Sequence, residues 1–215
     1  MHNNPEHLLA YFGVAAAGAI LVSLNTRLTA AEQRGILKHS GSKLLIHDRH
    51  HRQRAQELDV TSTELPATDS EGFVATPSAG DAPAQLYYTS GTTGDPKGVM
   101  LTHTNVCTHA QAAIQELGLS SDDTWAHIAP MFHLADAWAT FAITAVGGQH
   151  VFLPQFNAVA ALDLLQDERV TITNLVPTML NLMVKDPVAA HRDYSLRVML
   201  SGGAPIAPDV VHRIL

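Results

Sequence analysis

The sequence predicts an α/β fold with mostly parallel sheets packed by helices. Apolar runs of strand length alternate with helical stretches that carry recognisable caps, the rhythm of βαβ units. A bend dense in glycines and hydroxyls lies between two such runs, Ala84–Tyr88 and Val99–Leu101. The 215 residues are 46% hydrophobic and 15% charged, which suits one sizeable core or two small ones.

Taken in order, Asn4-Pro5-Glu6 opens a helix reaching about Gly18, with Asn4 as cap, Pro5 at the first position and Glu6 at the positive end. Ala19–Leu24 reads as a strand buried on both faces. Thr29 and Glu32 form a capping box for a helix that Gly41 closes. Lys43–His47 is a strand, and a polar helix spans about His50 to Leu58. Val60–Pro83 is rich in Thr, Ser, Pro, Gly and acids and reads as a surface loop with a short strand at Gly72–Ala75. The expected organisation is a first α/β part over about 1–60, a surface linker over 61–83, and a second α/β part over 84–215. In that second part Thr104 or Asn105 caps a helix ending near Gly118. Strands follow at Thr124–Ala129, Gln149–Leu153, Val170–Leu175 and Arg197–Leu200. Helices are expected at Leu134–Val146, Ala158–Arg169, Pro177–Lys185 and Ile206–Leu215.

Composition excludes several classes. A net charge of −7 argues against a nucleic-acid partner, which calls for a basic face. No apolar run is long enough for a transmembrane segment, and Gly13, Gly18 and Ser23 interrupt the apolar stretch from Ala10 to Leu24, a poor signal peptide. Cys107 is the sole cysteine, so there is no internal disulfide and no cysteine zinc site; it reads as a small buried hydrophobe. A cytoplasmic location is expected. His47, His50 and His51 lie among Asp48, Arg49 and Arg52, but no second ligand cluster has zinc spacing, and no metal site is assigned. Asp122-Asp123 reads as a solvated turn.

The bend itself is Tyr88-Thr89-Ser90-Gly91-Thr92-Thr93-Gly94-Asp95-Pro96-Lys97-Gly98. Glycines let backbone N–H groups approach phosphate oxygens, the hydroxyls of Thr89, Ser90, Thr92 and Thr93 add donors, and Lys97 adds a compact charge. On residue types alone it reads equally as a plain turn with a solvated lysine. It is not a Walker loop, since Lys97 follows Pro96 and precedes Gly98.

Position for position, this string resembles the signature loop of the adenylate-forming (AMP-binding) enzymes, which include acyl-CoA and aryl-CoA synthetases, peptide-synthetase adenylation domains and beetle luciferases. Asn4-Pro5-Glu6 through Leu28, Pro130-Met131-Phe132-His133 and Ser201-Gly202-Gly203-Ala204-Pro205 resemble further segments of that family, in the family's order. The resemblance covers essentially the whole chain and implies an incomplete N-terminal domain. The later motifs, the hinge and the small C-terminal domain with its lysine are absent from these residues.

The resemblance implies ATP-dependent ligation of a carboxylic acid to coenzyme A through an acyl-adenylate, with Mg2+ beside the phosphates. Thr89, Ser90, Gly91, Thr92, Thr93, Gly94 and Lys97 would hold the phosphates, with Lys97 also counted as catalytic. His133 would sit beside the substrate carboxylate, against the bland reading of a packed core histidine. Gly202, Gly203 and Ala204 would border the nucleotide, against an ordinary tight turn. Phe132, Leu134 and Trp138, with Phe141, are candidates for the acyl pocket and equally for simple core packing. Met131–Asp136 looks most like bacterial fatty-acyl ligases, so a fatty or other apolar acid is favoured, with an aryl acid or a peptide-synthetase adenylation domain as alternatives. The expected partners are small molecules, with homodimerisation through exposed apolar surface. On its own the chain is expected to be inactive. A non-catalytic nucleotide- or partner-binding remnant is the alternative from another class.

Overall fold

A computed structural model describes residues 1–65, 73–89, 97–187 and 189–214. The chain divides into two compact units, Met1–Thr108 and His109–Leu215.

In the first unit, α1 (Pro5–Ala16) begins where the Asn4 side chain accepts from the His7 N–H at 2.7 Å, and His7, Ala10 and Tyr11 form its buried face. Tyr11 packs onto β1 (Leu21–Ser23), its hydroxyl 3.1 Å from Ser23 Oγ. β1 pairs in parallel with β4 (Pro83–Thr89), which pairs antiparallel with β5 (Lys97–Thr102). The Thr29/Glu32 capping box opens α2 (Ala30–Ser40), and Gly41 ends it at φ 67°. A second, two-stranded parallel sheet joins β2 (Leu45–His47) to β3 (Ser62–Glu64). Between them a 3-10 turn (Arg49–His51) leads into α3 (Arg52–Gln56).

Several expectations shift here. β1 is half-buried, because it is a three-residue edge strand with β4 on one side only. β5 is exposed over Lys97–Met100, since it forms the other edge of the same sheet. The strand expected at Gly72–Ala75 is not formed over Phe73–Ala75, and Gly72 lies outside the described residues. Ser62–Glu64 forms a strand instead, although it has no apolar residue, because β2 offers it a ladder. Since β4 pairs with β1, the stretch 61–83 connects strands within one unit, and the division falls after Thr108.

The division falls within α4 (His103–Leu117). Its cap is Thr102, two or three residues earlier than expected. Thr102 Oγ1 accepts from the Asn105 N–H at 3.1 Å, and Asn105 Oδ1 accepts from the Thr102 N–H at 3.0 Å. Cys107 is exposed on this helix, not buried.

The second unit is built on an all-parallel sheet, β6 (Thr124–His127), β7 (Gln149–Phe152), β8 (Ile172–Leu175) and β9 (Val198–Ser201), in the order β7-β6-β8-β9. α5 (Leu134–Val146), α6 (Ala158–Asp167), α7 (Pro177–Met183) and α8 (Pro208–Ile214) complete it. Strand alternation sorts the core into two layers. Trp125 faces Ala139, Ala142 and Ile143 of α5, while neighbouring Ala126 faces Leu162 and Leu165 of α6 and Leu180 of α7. Helices therefore cover both faces, the arrangement that near-continuous apolar strands require. Among the described residues, no helix is long and apolar enough to cross a membrane.

Asp123 is not in a solvated turn. It is 2% exposed and accepts from Arg197, Thr171 Oγ1 and the Ser120 N–H. Asp122 beside it is exposed.

Candidate active site

In the first unit the two predicted site residues that are described, Thr89 and Lys97, lie at the loop end of the β4–β5 hairpin. The ladder closes with Thr89 opposite Lys97, both exposed. Directly opposed residues project from the same face, about 5 Å apart at Cβ. A hydroxyl and an ammonium thus flank the mouth of the bend, a donor pair suited to phosphate oxygens. Ser90, Gly91, Thr92, Thr93 and Gly94 lie outside the described residues.

The root of the hairpin is fixed by Tyr88. Its ring lies over Gly98, where an added Cβ would come within 3.2 Å of the ring. Its hydroxyl is 2.7 Å from His39 Nδ1 on α2, with the two rings edge to face. Burial raises the pKa of the Tyr88 hydroxyl. A cleft of about 420 Å³ elsewhere in this unit, lined by Leu21, Leu37, Leu45 and Leu86, contains none of the predicted site residues.

In the second unit the predicted residues emerge from the carboxyl ends of β6 and β9. After β6, Pro130 turns the chain, Met131 and Phe132 are buried, and His133 is exposed. His133 holds the N-cap position of α5 with extended backbone. Its N–H donates to the Pro130 carbonyl at 3.0 Å, and its own carbonyl accepts from Asp136 and Ala137. The His133 and Phe132 rings are 4.6 Å apart. Leu134 is exposed. Trp138 is half-buried edge-on against Trp125 at 5.0 Å, and its Nε1–H donates to the Ala135 carbonyl. Phe132 and Trp138 thus pack into the unit while His133 and Leu134 face outward.

β9 ends at Ser201, and Gly202, Gly203 and Ala204 are all exposed. Gly203 has φ +82°, a conformation that favours glycine, and a Cβ at Gly202 would meet open space.

The strand order explains why these segments matter together. From β6 the chain crosses to β7 on one side, then returns to β8 and β9 on the other. Because all four strands are parallel, the Pro130–His133 and Ser201–Ala204 segments leave the same edge of the sheet. The order reverses between β6 and β8, and in open α/β sheets the ligand crevice lies at the strand ends beside such a reversal.

Two contributors were missed in the sequence reading. Asn174 on β8 donates from Nδ2 to the Ala135 carbonyl at 2.5 Å, bridging the strand beside the reversal to the start of α5. Asp136 is fully buried and bonded to β6. A lone carboxylate in the otherwise apolar run Leu134–Val146 was the available signal, since such a group needs a buried partner.

These are features of an AMP-binding enzyme, and the chain belongs to that family, whose model matches residues 1–215. Among curated relatives, it is 37% identical over 221 residues to a feruloyl-CoA synthase of Amycolatopsis, covering 99% of this chain and 45% of that enzyme. It is 35% identical over 234 residues to the long-chain-fatty-acid–CoA ligase FadD13 of Mycobacterium tuberculosis, covering 100% of this chain and 46% of that one. The chain therefore spans about half the length of the curated relatives it matches. An inhibitor-bound crystal structure of the N-terminal domain of FACL13 from Mycobacterium tuberculosis superposes with a TM-score of 0.90 at 31% identity, covering 100% of this chain and 58% of that one. The o-succinylbenzoate-CoA synthetase of Bacillus subtilis, in complex with ATP and magnesium, superposes at 0.85 with 28% identity, covering 99% of this chain and 45% of that one.

Proposed function

We propose that the complete protein containing this chain is an ATP-dependent carboxylate–CoA ligase acting on an acid with an apolar body. The observation that carries the reading is the family match over the whole chain, with a sheet edge and a hairpin mouth of the kind such chemistry needs. The acid's carboxylate attacks the α-phosphate of ATP, the bond to the β-phosphate breaks, and pyrophosphate leaves. The thiol of CoA then attacks the acyl carbonyl and AMP leaves.

The first step joins two anions, so charge must be screened and the reactants held in line. Thr89, Ser90, Gly91, Thr92, Thr93, Gly94 and Lys97 hold the β- and γ-phosphates. The exposed Thr89–Lys97 pair fits that role, offering hydroxyl and ammonium donors at one mouth. Magnesium, when bound, supplies further neutralisation of the phosphate charge. His133 faces the substrate carboxylate, Gly202, Gly203 and Ala204 border the nucleotide, and Leu134 with Phe132 borders the acyl chain.

We favour an aliphatic acid because Met131–Asp136 resembles fatty-acyl ligases. An aromatic acid is the second reading, favoured by the 37% identity to feruloyl-CoA synthase. Protein expressed from the complete reading frame, incubated with ATP, magnesium, CoA and a panel of fatty and aryl acids, tests both. Acid-dependent pyrophosphate release with the matching CoA thioester in the mass spectrum supports the ligase reading. The preferred acid decides between its two forms. Preference for an amino acid, or release independent of any acid, overturns it.

A further inference from the structure

His127, at the end of β6, and Asp136, in the first turn of α5, bracket the loop that carries Pro130 to His133. Both side chains are fully buried, and His127 Nδ1 lies 2.5 Å from Asp136 Oδ2. The other carboxylate oxygen, Asp136 Oδ1, accepts from Trp125 Nε1–H at 3.3 Å. On the far side, His127 Nε2 is 2.9 Å from His150 Nδ1, and His150 Nε2 is 3.0 Å from Thr144 Oγ1. The His127 ring lies nearly parallel to those of His150 and Phe152, with centroids at 5.2 and 5.1 Å.

A carboxylate only accepts, so His127 Nδ1 carries a hydrogen and donates to Asp136. The bonds between His127 and His150 and between His150 and Thr144 hold the imidazole from its other nitrogen. Burial, and then the neighbouring His127, lower the His150 pKa to about 4, which agrees with a neutral ring. This chain of hydrogen bonds ends on the one carboxylate in α5. An acidic side chain at this helix position ordinarily turns back to cap its own helix. Asp136 instead reaches across to β6.

We propose that the Asp136–His127 bond is a clasp closing the base of the 128–135 loop, and that Asp136 is thereby a positioning residue for His133. Ile128, Ala129, Met131 and Phe132 are buried and seat the middle of the loop, while the clasp joins its two ends. His133 is exposed, and its backbone is fixed to Asp136 and Ala137 through the first turn of α5. Where Asp136 is held, the His133 carbonyl is held with it, and the Phe132 ring backs the imidazole at 4.6 Å. Asn174 and Trp138 grip the adjoining Ala135 carbonyl, and Asp136 adds the tie to β6. What His133 faces rests on the ligase reading; the clasp itself does not.

The test uses histidine-labelled protein from the complete reading frame, with the His133 ring resonance assigned by its loss in His133→Gln. Asp136→Asn keeps the side-chain shape but sets an amide N–H against one of the two donors. His127→Phe keeps a planar ring and removes the donor, and it decides the question alone if Asp136→Asn does not fold. Leu165→Ala, in the core layer on the other face of the sheet, supplies a comparable loss of stability without touching the clasp. The proposal expects the His133 resonance to shift or broaden in both clasp variants and to stay in place in Leu165→Ala. In the ligase assay, kcat/KM for the acid falls about 100-fold in Asp136→Asn while KM for ATP stays within about twofold, as for a misplaced contact group. An unmoved His133 resonance in the clasp variants, or an equal movement in Leu165→Ala, overturns the proposal. A wild-type protein without acid-dependent turnover overturns the ligase reading alone, because the resonance test needs no turnover.

Discussion

Arg197 grips Asp123 with a two-pronged guanidinium. Nε donates to Oδ1 and Nη2 to Oδ2, each at 2.7 Å, while Nη1 and Nη2 also reach the carbonyls of Leu117 and Gly118. Arg197 immediately precedes β9, and Asp123 immediately precedes β6. The pair ties the amino ends of these strands to the turn that closes α4, at the edge of the sheet away from His133 and Gly202.

Asp123→Asn is expected to lower unfolding stability by about 2–4 kcal/mol, since it breaks a fork whose carboxylate is buried. Arg197 holds the Asp123 carboxyl down at about 2 from its ordinary value near 3.8, with Thr171 and the Ser120 N–H helping against desolvation. A depressed folded-state pKa contributes stability that is complete above the unfolded value and lost as pH falls through the folded one. Urea denaturation should therefore show a wide gap between wild type and variant at pH 7. That gap should narrow as pH drops from about 4 to 2. A constant gap would mean that the charge on Asp123 contributes nothing.

His150 supplies a second pH signature, of different origin. Burial pushes its pKa from 6.5 to about 4, so the unfolded chain binds a proton there before the folded one does. Stability is then expected to fall as pH is lowered from about 6.5 to 4, with a slope approaching one proton, and His150→Gln should flatten that part of the profile. His127, hydrogen-bonded to His150, and the carboxylate of Asp136 beyond it are the charged or titratable groups facing that ring among the described contacts. An unchanged slope in the variant would assign the effect elsewhere.

The two glycines after β9 are expected to separate conformation from ligand approach. Gly203→Ala should cost about 1 kcal/mol of stability, because alanine resists φ +82°. Gly202→Ala meets open space and should leave stability within about 0.5 kcal/mol. If the nucleotide comes close at this turn, Gly202→Ala should still raise KM for ATP. Equal KM values would remove Gly202 from the nucleotide border.

Much of this was legible in the sequence because local chemistry set it. The Thr29/Glu32 box, Asn4 and Gly41 fixed helix ends by their own hydrogen bonds and φ angles. Leu134–Val146 was readable to the residue because a proline turn precedes it and a glycine follows. What escaped was decided by tertiary partners. Ser62–Glu64 is a strand only because β2 lies alongside it. Asp123 looked like half of an exposed acidic turn until Arg197, far along the chain, reached it. Asp136, His127 and Asn174 show the same limit at the site. Their residue types were visible, but not the fact that β6, β8 and the start of α5 bring them together.

The most direct test of the central claim is carboxylate-dependent exchange of labelled pyrophosphate into ATP, run on protein from the complete reading frame as wild type and as Lys97→Ala. Lys97 is exposed at the end of its ladder, so the variant should keep wild-type thermal stability. The account predicts exchange that appears only when acid is added. It also predicts a rise of roughly 10–100-fold in KM for ATP in Lys97→Ala, the worth of one charged hydrogen-bond donor to phosphate. Exchange that ignores the acid, or identical ATP curves for the two proteins, would contradict it.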